Sequence, residues 1–299
     1  MLSVSVITPT FNGEKKISAL LHALQKQTVQ DFEWIVVIDG SSDRTQLVLE
    51  AIETTFQKTI LVQPNQGRSG AKNNGAKRAS AEILIFYDDD VAPAVDSLAK
   101  HIQFHFSHFG LMAGNPIEFE HDQNPDIENY KAHLNQKWTE KYSDGLNSLT
   151  QSNLFFTAAN CSMPSKLFWE LGGFDERLTD AEDYDLARRA LEKNVPVYFD
   201  KSNTAIHHDP ITCRSYINRI RQYHAAQRKL KELHPDQSFS RHTDLSILKR
   251  MFYWMFSFSF WPASIDNTSL WMVLPKFFRY KIYDWVIHSL GVVYPLKKL

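Results

Sequence analysis

The sequence predicts an α/β fold built on a mainly parallel sheet, and three observations carry that reading. Between Val4 and Asp90, four short apolar runs alternate with three stretches of helical periodicity, the order of right-handed strand–helix–strand crossovers. The fourth run, Ile83–Tyr87, is apolar at every position, as a strand buried on both faces would be. It delivers three consecutive carboxylates, Asp88, Asp89 and Asp90, to its carboxyl end, where open α/β sheets bind ligands.

The elements follow in order. Val4–Thr8 is a β-rich run closed by Pro9, and Thr10-Phe11-Asn12-Gly13 is a loop. Ile17, Leu20, Leu21 and Leu24 then recur at helical spacing. Phe32–Ile38 is the second strand, ending at Asp39-Gly40-Ser41-Ser42-Asp43, where Ser42 or Asp43 can cap a helix running to about Thr55. Ile60–Val62 is the third strand, Asn65-Gln66-Gly67 a turn, and Ser69–Ala79 a helix leading into the acidic strand.

Adjacent acids repel one another unless a cation sits among them, and their hard oxygens suit Mg²⁺ or Mn²⁺ shared with substrate phosphates. A solvated acidic turn is the plainer alternative. The first strand–helix loop, TPTFNGE, has one glycine where a dinucleotide fingerprint needs three. Asp39 ends the second strand as an acceptor-only group, suited to the ring N–H of uracil or to a ribose hydroxyl, or else it is a turn residue.

The chain has 299 residues, enough for one large domain with an appendage or for two domains. Cys161 and Cys213 have neither metal-ligand spacing nor the density of a disulfide scaffold, so a reducing compartment is expected. The stretch MLSVSVITPT lacks the pattern of a signal peptide, and the expected location is cytoplasmic. Residues 1–210 carry 19 Lys and Arg against 29 Asp and Glu, or −10, whereas residues 211–299 carry 14 against 5, or +9. That asymmetry points to two surfaces with different partners, and nucleic acid is not expected among them.

Read together, VSVITPTFN, VIDGSSD, NQGRSGAKNNG and YDDD resemble the N-terminal half of family-2 glycosyltransferases of the GT-A fold. The resemblance extends to about residue 210 through AANCSMPSKLFWELGGFDE, AEDYDLARRALEKNVPVYF and AIHHD. It implies a catalytic domain over residues 1–210, with a nucleotide-sugar half to about 115 and an acceptor half from about 116, and a helical region over 211–299. It further implies that Pro9, Thr10 and Asp39 hold a uridine, with Asn65, Gly67 and Lys72 near the nucleotide. Asp88 and Asp90 would end an Asp-X-Asp motif around Asp89 and hold Mn²⁺ or Mg²⁺, with Asp90 the direct ligand. Asp183 would be the general base, with Glu182 next in line. His208, with His207 as second choice, would approach the metal or diphosphate. The family often has two aspartates where this chain has Ile38-Asp39, and commonly arginine at Lys72, which keeps the charge but loses the bidentate fork.

The implied activity is inverting transfer of a sugar from a nucleotide sugar, expected to be a UDP-sugar, to a hydroxyl of a carbohydrate, lipid-linked or other acceptor in glycan synthesis. Two rival readings stay open: a sugar nucleotidyltransferase, which would want a Gly-rich basic loop after the first strand, and a catalytically silent glycan-binding or scaffold protein. Glu182, Asp183 and Asp185 could also simply complement a helix dipole. His101, His105 and His108 read as a partly exposed helix side rather than a metal face, and Asp144 lies in a stretch matching no motif. Thr212–Leu233 reads as a long basic helix. Met251–Trp261 is too short to span a bilayer and reads as a buried or interfacial helix, so peripheral membrane contact through 245–299 is set against a packed helical subdomain.

Overall fold

A computed structural model describes residues 4–234, 245–267 and 271–299. β1 (Val4–Thr10), β2 (Phe32–Asp39), β3 (Gln57–Gln63) and β4 (Ile83–Tyr87) pair in parallel in the order β3-β2-β1-β4. The crossovers are α1 (Ile17–Gln25), α2 (Thr45–Ala51), which stops short of Thr55, and α3 (Gly67–Arg78). Strand alternation sorts the core. Val6, Trp34, Val36, Ile85 and Tyr87 pack with the leucines of α1, while Ile7, Leu84 and Phe86 belong to the cluster that includes Ala76 of α3. α3 lies so close to the sheet that a Cβ on Gly75 would come within 2.5 Å of the Ile7 side chain. Only glycine fits there.

Beyond β4 the sheet becomes mixed. β5 (Val91–Pro93), β6 (Leu111–Ile117), β7 (Leu146–Leu149), β8 (Asn160–Pro164) and β9 (Val197–His207) complete it in the order β3-β2-β1-β4-β8-β6-β9-β5, with β7 on β9. β8 runs antiparallel to β4, with Asn160 opposite Tyr87, so the chain enters β8 beside the acidic triplet. β5 pairs antiparallel with β9 through Val91 and His207, which brings the end of β9 to the same place. α6 (Ser165–Glu170) and α7 (Glu182–Glu192) lie between β8 and β9.

The histidines of α4 (Ser97–Ser107) and its C-cap run from buried His101 through half-buried His105 to exposed His108. His101 is fully buried, its Nδ1 2.8 Å from Ser162 Oγ and its Nε2 2.8 Å from Asn160 Oδ1, and His105 Nε2 lies 2.8 Å from the same Ser162 Oγ. His108 stacks on Phe104. The helix packs on β8, whose polar Asn160 and Ser162 were silent in the sequence because their partners are remote. Asp144 is exposed and pairs with Lys201 at 3.4 Å.

The chain divides into two compact units, Met1–Glu118 with Trp138–Asp209 and Phe119–Lys137 with Pro210–Leu299. The second joins part of α5 (Asp126–Thr139) to the helices that follow residue 210. Asp126 explains the recruitment. It accepts two bonds of 2.8 Å from Arg279 and one of 2.8 Å from Tyr283, a bidentate pair closed by a phenol. α8 (Cys213–Leu233) starts at a reciprocal cap between Thr212 and Ser215. α9 (Ile247–Met255), α10 (Phe260–Asp266) and α11 (Lys276–His288) follow. No described helix is long and apolar enough to cross a membrane.

The buried imidazoles set a pH dependence. Burial pushes His101 down to about 4, against an ordinary value of 6.5. A depressed folded-state value means that the unfolded chain takes the proton first, so this group's contribution is fully present above pH 6.5 and is lost as pH falls toward 4. We expect the stability difference between wild type and His101→Gln to move against wild type by about 1 kcal/mol per pH unit across that window. Urea unfolding at stepped pH measures it, and a pH-independent difference would remove His101 from the account.

Candidate active site

The three carboxylates that end β4 enter three different environments. Asp88 is half-buried, and its Oδ1 lies 3.7 Å from Lys72 Nζ. Asp89 turns inward, where its Oδ2 accepts a 2.6 Å bond from Thr10 Oγ1. Burial pushes its pKa up to about 6, with the Thr10 bond opposing the shift. The fit is tight, since a Cβ on Gly13 would overlap Thr10 Oγ1 at 2.1 Å. Asp90 carries a buried Oδ1 with no hydrogen-bond partner.

The imidazole next to Asp90 is His207. Its Nε2 lies 3.3 Å from Asp90 Oδ1, without hydrogen-bond geometry, and its Nδ1 lies 2.9 Å from Glu118 Oε1. His208, the first choice from sequence, instead donates its backbone N–H to the Asp90 carbonyl at 2.7 Å and leaves its ring exposed. β9 ends at His207, opposite Val91, so the strand register delivers that residue and turns the next one away.

On the other side of the triplet, Asp39 Oδ1 accepts from Gln63 Nε2 and from the Gln66 backbone N–H, both at 2.8 Å. Asn65 closes the turn by donating to the Asp39 carbonyl at 3.0 Å, and Gly67 opens α3. Pro9 sits in β1 opposite Val37. The loop after β1 is already engaged: the Asn12, Gly13 and Glu14 N–H groups go to Ser41, Thr45 and Asp43 at 2.9, 2.8 and 3.1 Å. Those donors are not held open for a triphosphate, which argues against the nucleotidyltransferase reading.

α7 supplies the opposing acids. Its first residues follow Ala181, held at φ 61°, a left-handed conformation that costs a non-glycine residue energy and that clusters at functional sites. Asp185 is structural: it is fully buried and pairs with Arg188 at 2.8 Å and Arg189 at 2.7 Å. Asp183 accepts from the Ala158 N–H at 3.0 Å and from its neighbour Tyr184 at 2.7 Å. Burial first, and the adjacent Glu182 second, push its pKa up to about 6, with Lys72 opposing them. Glu182 binds Lys72 at 2.8 Å.

Lys72 therefore joins both acidic groups. Burial works against its charge, but Glu182, Asp88 and Asp183 outweigh that and raise its pKa. The adjacent Asn73 locks the arrangement. It donates to the Phe174 carbonyl at 2.9 Å and accepts from the Phe174 N–H at 3.0 Å, clamping the GGFDE turn onto α3. Two residues escaped the sequence reading. Arg68 lies 3.5 Å from Asp180, and its pKa is raised by Glu182, Asp180, Asp88 and Asp183 against the cost of burial. Arg68 stands one helical turn before Lys72, a spacing that could have flagged it; Asp180 gave no signal.

A mixed sheet with an acidic triplet at a strand end, facing a carboxylate at a helix start, defines a nucleotide-sugar glycosyltransferase of the GT-A type. The sequence model "Glycosyl transferase family 2" matches residues 5–172, more than half of the chain. The chain belongs to that family. It is 25% identical over 262 residues to the uncharacterized glycosyltransferase YfnE of Bacillus subtilis, covering 72% of this chain and 67% of that one. With the Escherichia coli enzyme WfgD, a UDP-Glc:alpha-D-GlcNAc-diphosphoundecaprenol beta-1,3-glucosyltransferase, it shares 30% identity over 122 residues, 38% of this chain and 48% of WfgD. The match thus spans about half the length of that relative. The mannosyltransferase PcManGT of Pyrobaculum calidifontis, solved with GDP-Man and Mn²⁺, superposes with a TM-score of 0.63 at 16% identity, over 99% of this chain and 88% of its own.

Lys72 and Glu182 are 3% and 2% exposed, so either charge alone would be stranded. We expect Lys72→Met to cost about 3 kcal/mol, as for one broken member of a buried pair, and Lys72→Met with Glu182→Gln to recover much of it. Urea unfolding of the three proteins tests this, and equal losses in single and double variants would show that the pair is not coupled.

Proposed function

We propose that this glycosyltransferase moves a sugar from a UDP-sugar to a hydroxyl of a lipid-linked acceptor, with inversion and with a divalent cation. The observation that best supports the reading is the Lys72 bridge, which lies 3.7 Å from Asp88 and 2.8 Å from Glu182 and so makes one site of the triplet and the base. The UDP and lipid-linked parts rest on likeness: WfgD's name gives UDP-Glc and a diphosphoundecaprenol-linked sugar as its reactants. Peripheral contact with the inner face of a membrane belongs to the same proposal.

Asp39 would accept a hydrogen bond from the uracil or ribose, since both of its protein bonds fall on one oxygen, Oδ1. Pro9, Thr10, Asn65 and Gly67 would line the nucleotide, with Thr10 fixed by Asp89. Asp183 would take the proton of the acceptor hydroxyl at the carboxylate that Ala158 and Tyr184 orient. A pKa near 6 suits that task, because the group is ionised at neutral pH yet basic enough to receive a proton. Glu182 is held by Lys72 and would tune its neighbour rather than replace it.

Among the described residues, no group of three or more His, Cys, Asp or Glu is arranged to hold a metal ion by itself. Mg²⁺ and Mn²⁺ fit the donors present, because such ions are commonly shared between one or two carboxylates and substrate phosphates. Asp90 Oδ1, which has no hydrogen bond and lies 3.3 Å from His207 Nε2, would be the first ligand, with Asp88 beside it and His207 oriented by Glu118 as carboxylates orient ligating imidazoles. When bound, the cation would act as a Lewis acid on the diphosphate leaving group.

Calorimetry of UDP with and without Mn²⁺ should show metal-dependent binding in wild type and its loss in Asp90→Ala; equal, metal-independent affinity in both would end the role of Asp90. For the base, Asp183→Asn should lower turnover by about 10²–10⁴-fold with UDP affinity nearly unchanged. The wild-type kcat/KM should fall about tenfold per pH unit below pH ~6, and that acid limb should be missing from the residual activity of the variant. Wild-type turnover in Asp183→Asn would move the base elsewhere.

A further inference from the structure

The C-terminal unit carries an amphipathic helix turned inside out. On α9, Ile247, Leu248, Met251, Trp254 and Met255 fall on one stripe at helical spacing, and they are between 51% and 79% exposed. None of the α9 residues is buried; the helix is tied to α11 by Phe252, and by the buried Phe256 just past its end, each 5.2 Å from the Trp285 ring. A stripe of this kind normally faces a core. Here it faces solvent.

The stripe belongs to a larger surface within the same unit. Trp254 meets Phe258 at 5.0 Å, Phe258 meets Phe260 at 6.3 Å, and Phe260 meets Trp261 at 4.8 Å. Phe258 and Phe260 are themselves exposed. Trp261 lies 6.0 Å from Trp271, which leads into Val273, exposed at 86%. Contiguous apolar surface on this scale marks an interaction site rather than ordinary surface variation.

Charge identifies the partner. Over residues 245–299 the basic side chains are Lys249, Arg250, Lys276, Arg279, Lys281, Lys297 and Lys298, of which Arg279 is buried on Asp126 and Lys276 pairs with Glu120, and the acids are only Asp266 and Asp284. Both acids are turned to internal work, Asp266 accepting from the Cys213 N–H at 2.6 Å and Asp284 from Tyr130 at 2.6 Å. Lys249 and Arg250 are exposed on the helix that carries the stripe. Lys297 sits 5.7 Å above the Trp254 ring and 5.1 Å above Phe258, so a cation stands among the exposed aromatics themselves. A second copy of the chain would bring those like charges together.

We propose that this surface is an interfacial anchor for a membrane rich in anionic phospholipid, with the α9 stripe and the neighbouring rings in the acyl boundary and the lysines at the headgroups. Tryptophan, with an apolar body and one N–H donor, suits that depth. The inference gives the membrane contact of the proposed function a surface and a lipid chemistry, and it rests on that reading only for the acceptor.

The intact chain is mixed with vesicles of phosphatidylcholine alone or with added phosphatidylglycerol, at low and high salt, and sedimented. Binding should require phosphatidylglycerol and weaken at high salt by about tenfold or more. Leu248→Glu with Trp254→Glu alters two exposed positions, so the variant should fold and keep the UDP affinity of wild type while losing vesicle binding. Absence of wild-type binding at low salt overturns the proposal, as does unchanged binding by the variant. Sedimentation velocity without lipid provides the other overturning result: a wild-type dimer that the variant abolishes, with no vesicle binding by either, makes the surface an interface between copies. UDP binding is scored separately, so failure of the anchor and failure of the enzyme reading are told apart.

Discussion

A buried lysine is the constraint on which the catalytic unit depends. Lys72 lies on α3, a helix held against the sheet at the Gly75 contact, so its ammonium has little freedom to seek water. A buried charge is tolerable only when paired and hydrogen-bonded. Glu182 supplies the pair, and it stands 110 residues away in the chain. The ion pair therefore fixes the start of α7 relative to the crossover helix of the parallel half-sheet. Asn73 repeats the fixation one residue later through the Phe174 backbone. The α3 crossover and the segment from Phe174 to Glu182 are thus joined by adjacent residues of one helix, one through charge and one through amide bonds.

That arrangement also divides labour among acids that look equivalent in the sequence. Asp185 is spent on Arg188 and Arg189, and Arg189 reaches on to the Gly173 carbonyl at 2.8 Å, which ties α7 to the preceding turn. Glu182 is spent on Lys72. Asp183 accepts from the backbone N–H groups of Ala158 and Tyr184, one on each oxygen, and each oxygen has a further lone pair. A helix dipole would favour all three ionised forms. Burial opposes that at Asp183, and the balance leaves its affinity for protons raised.

What the sequence made legible was whatever is local. The four parallel strands could be read because each holds a short β-rich run closed by turn residues, and β4, the one apolar throughout, is found at Ile83–Tyr87 as expected. The helix from Thr212 was visible through its length and its basic composition, whereas its reciprocal cap emerged only in the structure. Remote partnerships were not. Asp126 looks like any acidic surface residue until Arg279 is brought to it across 153 positions. The His101 network failed for the same reason, since Asn160 and Ser162 become its partners only through the β8 register. His207 and His208 are adjacent in sequence and differ only in which side of a strand end they leave, a distinction that pairing with Val91 decides. The aromatic run after Met251 could be recognised as too short to span a bilayer, but its outward direction depends on which face α11 covers.

The acidic triplet shows how far one such register effect reaches. Three adjacent carboxylates read as mutual repulsion in need of a cation, but side chains leaving a strand end alternate in direction. Asp88 goes toward Lys72, Asp89 into the protein against Thr10, and Asp90 toward His207. Repulsion is reduced by separation and by a buried cation of the protein's own, and at Asp89 by a raised affinity for protons. The central acid is then a structural post that fixes Thr10, with Gly13 clearing the space it needs. Of the outer two, Asp90 keeps a buried oxygen without a hydrogen bond. An unsatisfied buried oxygen costs stability unless something completes it, and in the function proposed above that something is a divalent cation shared with a diphosphate.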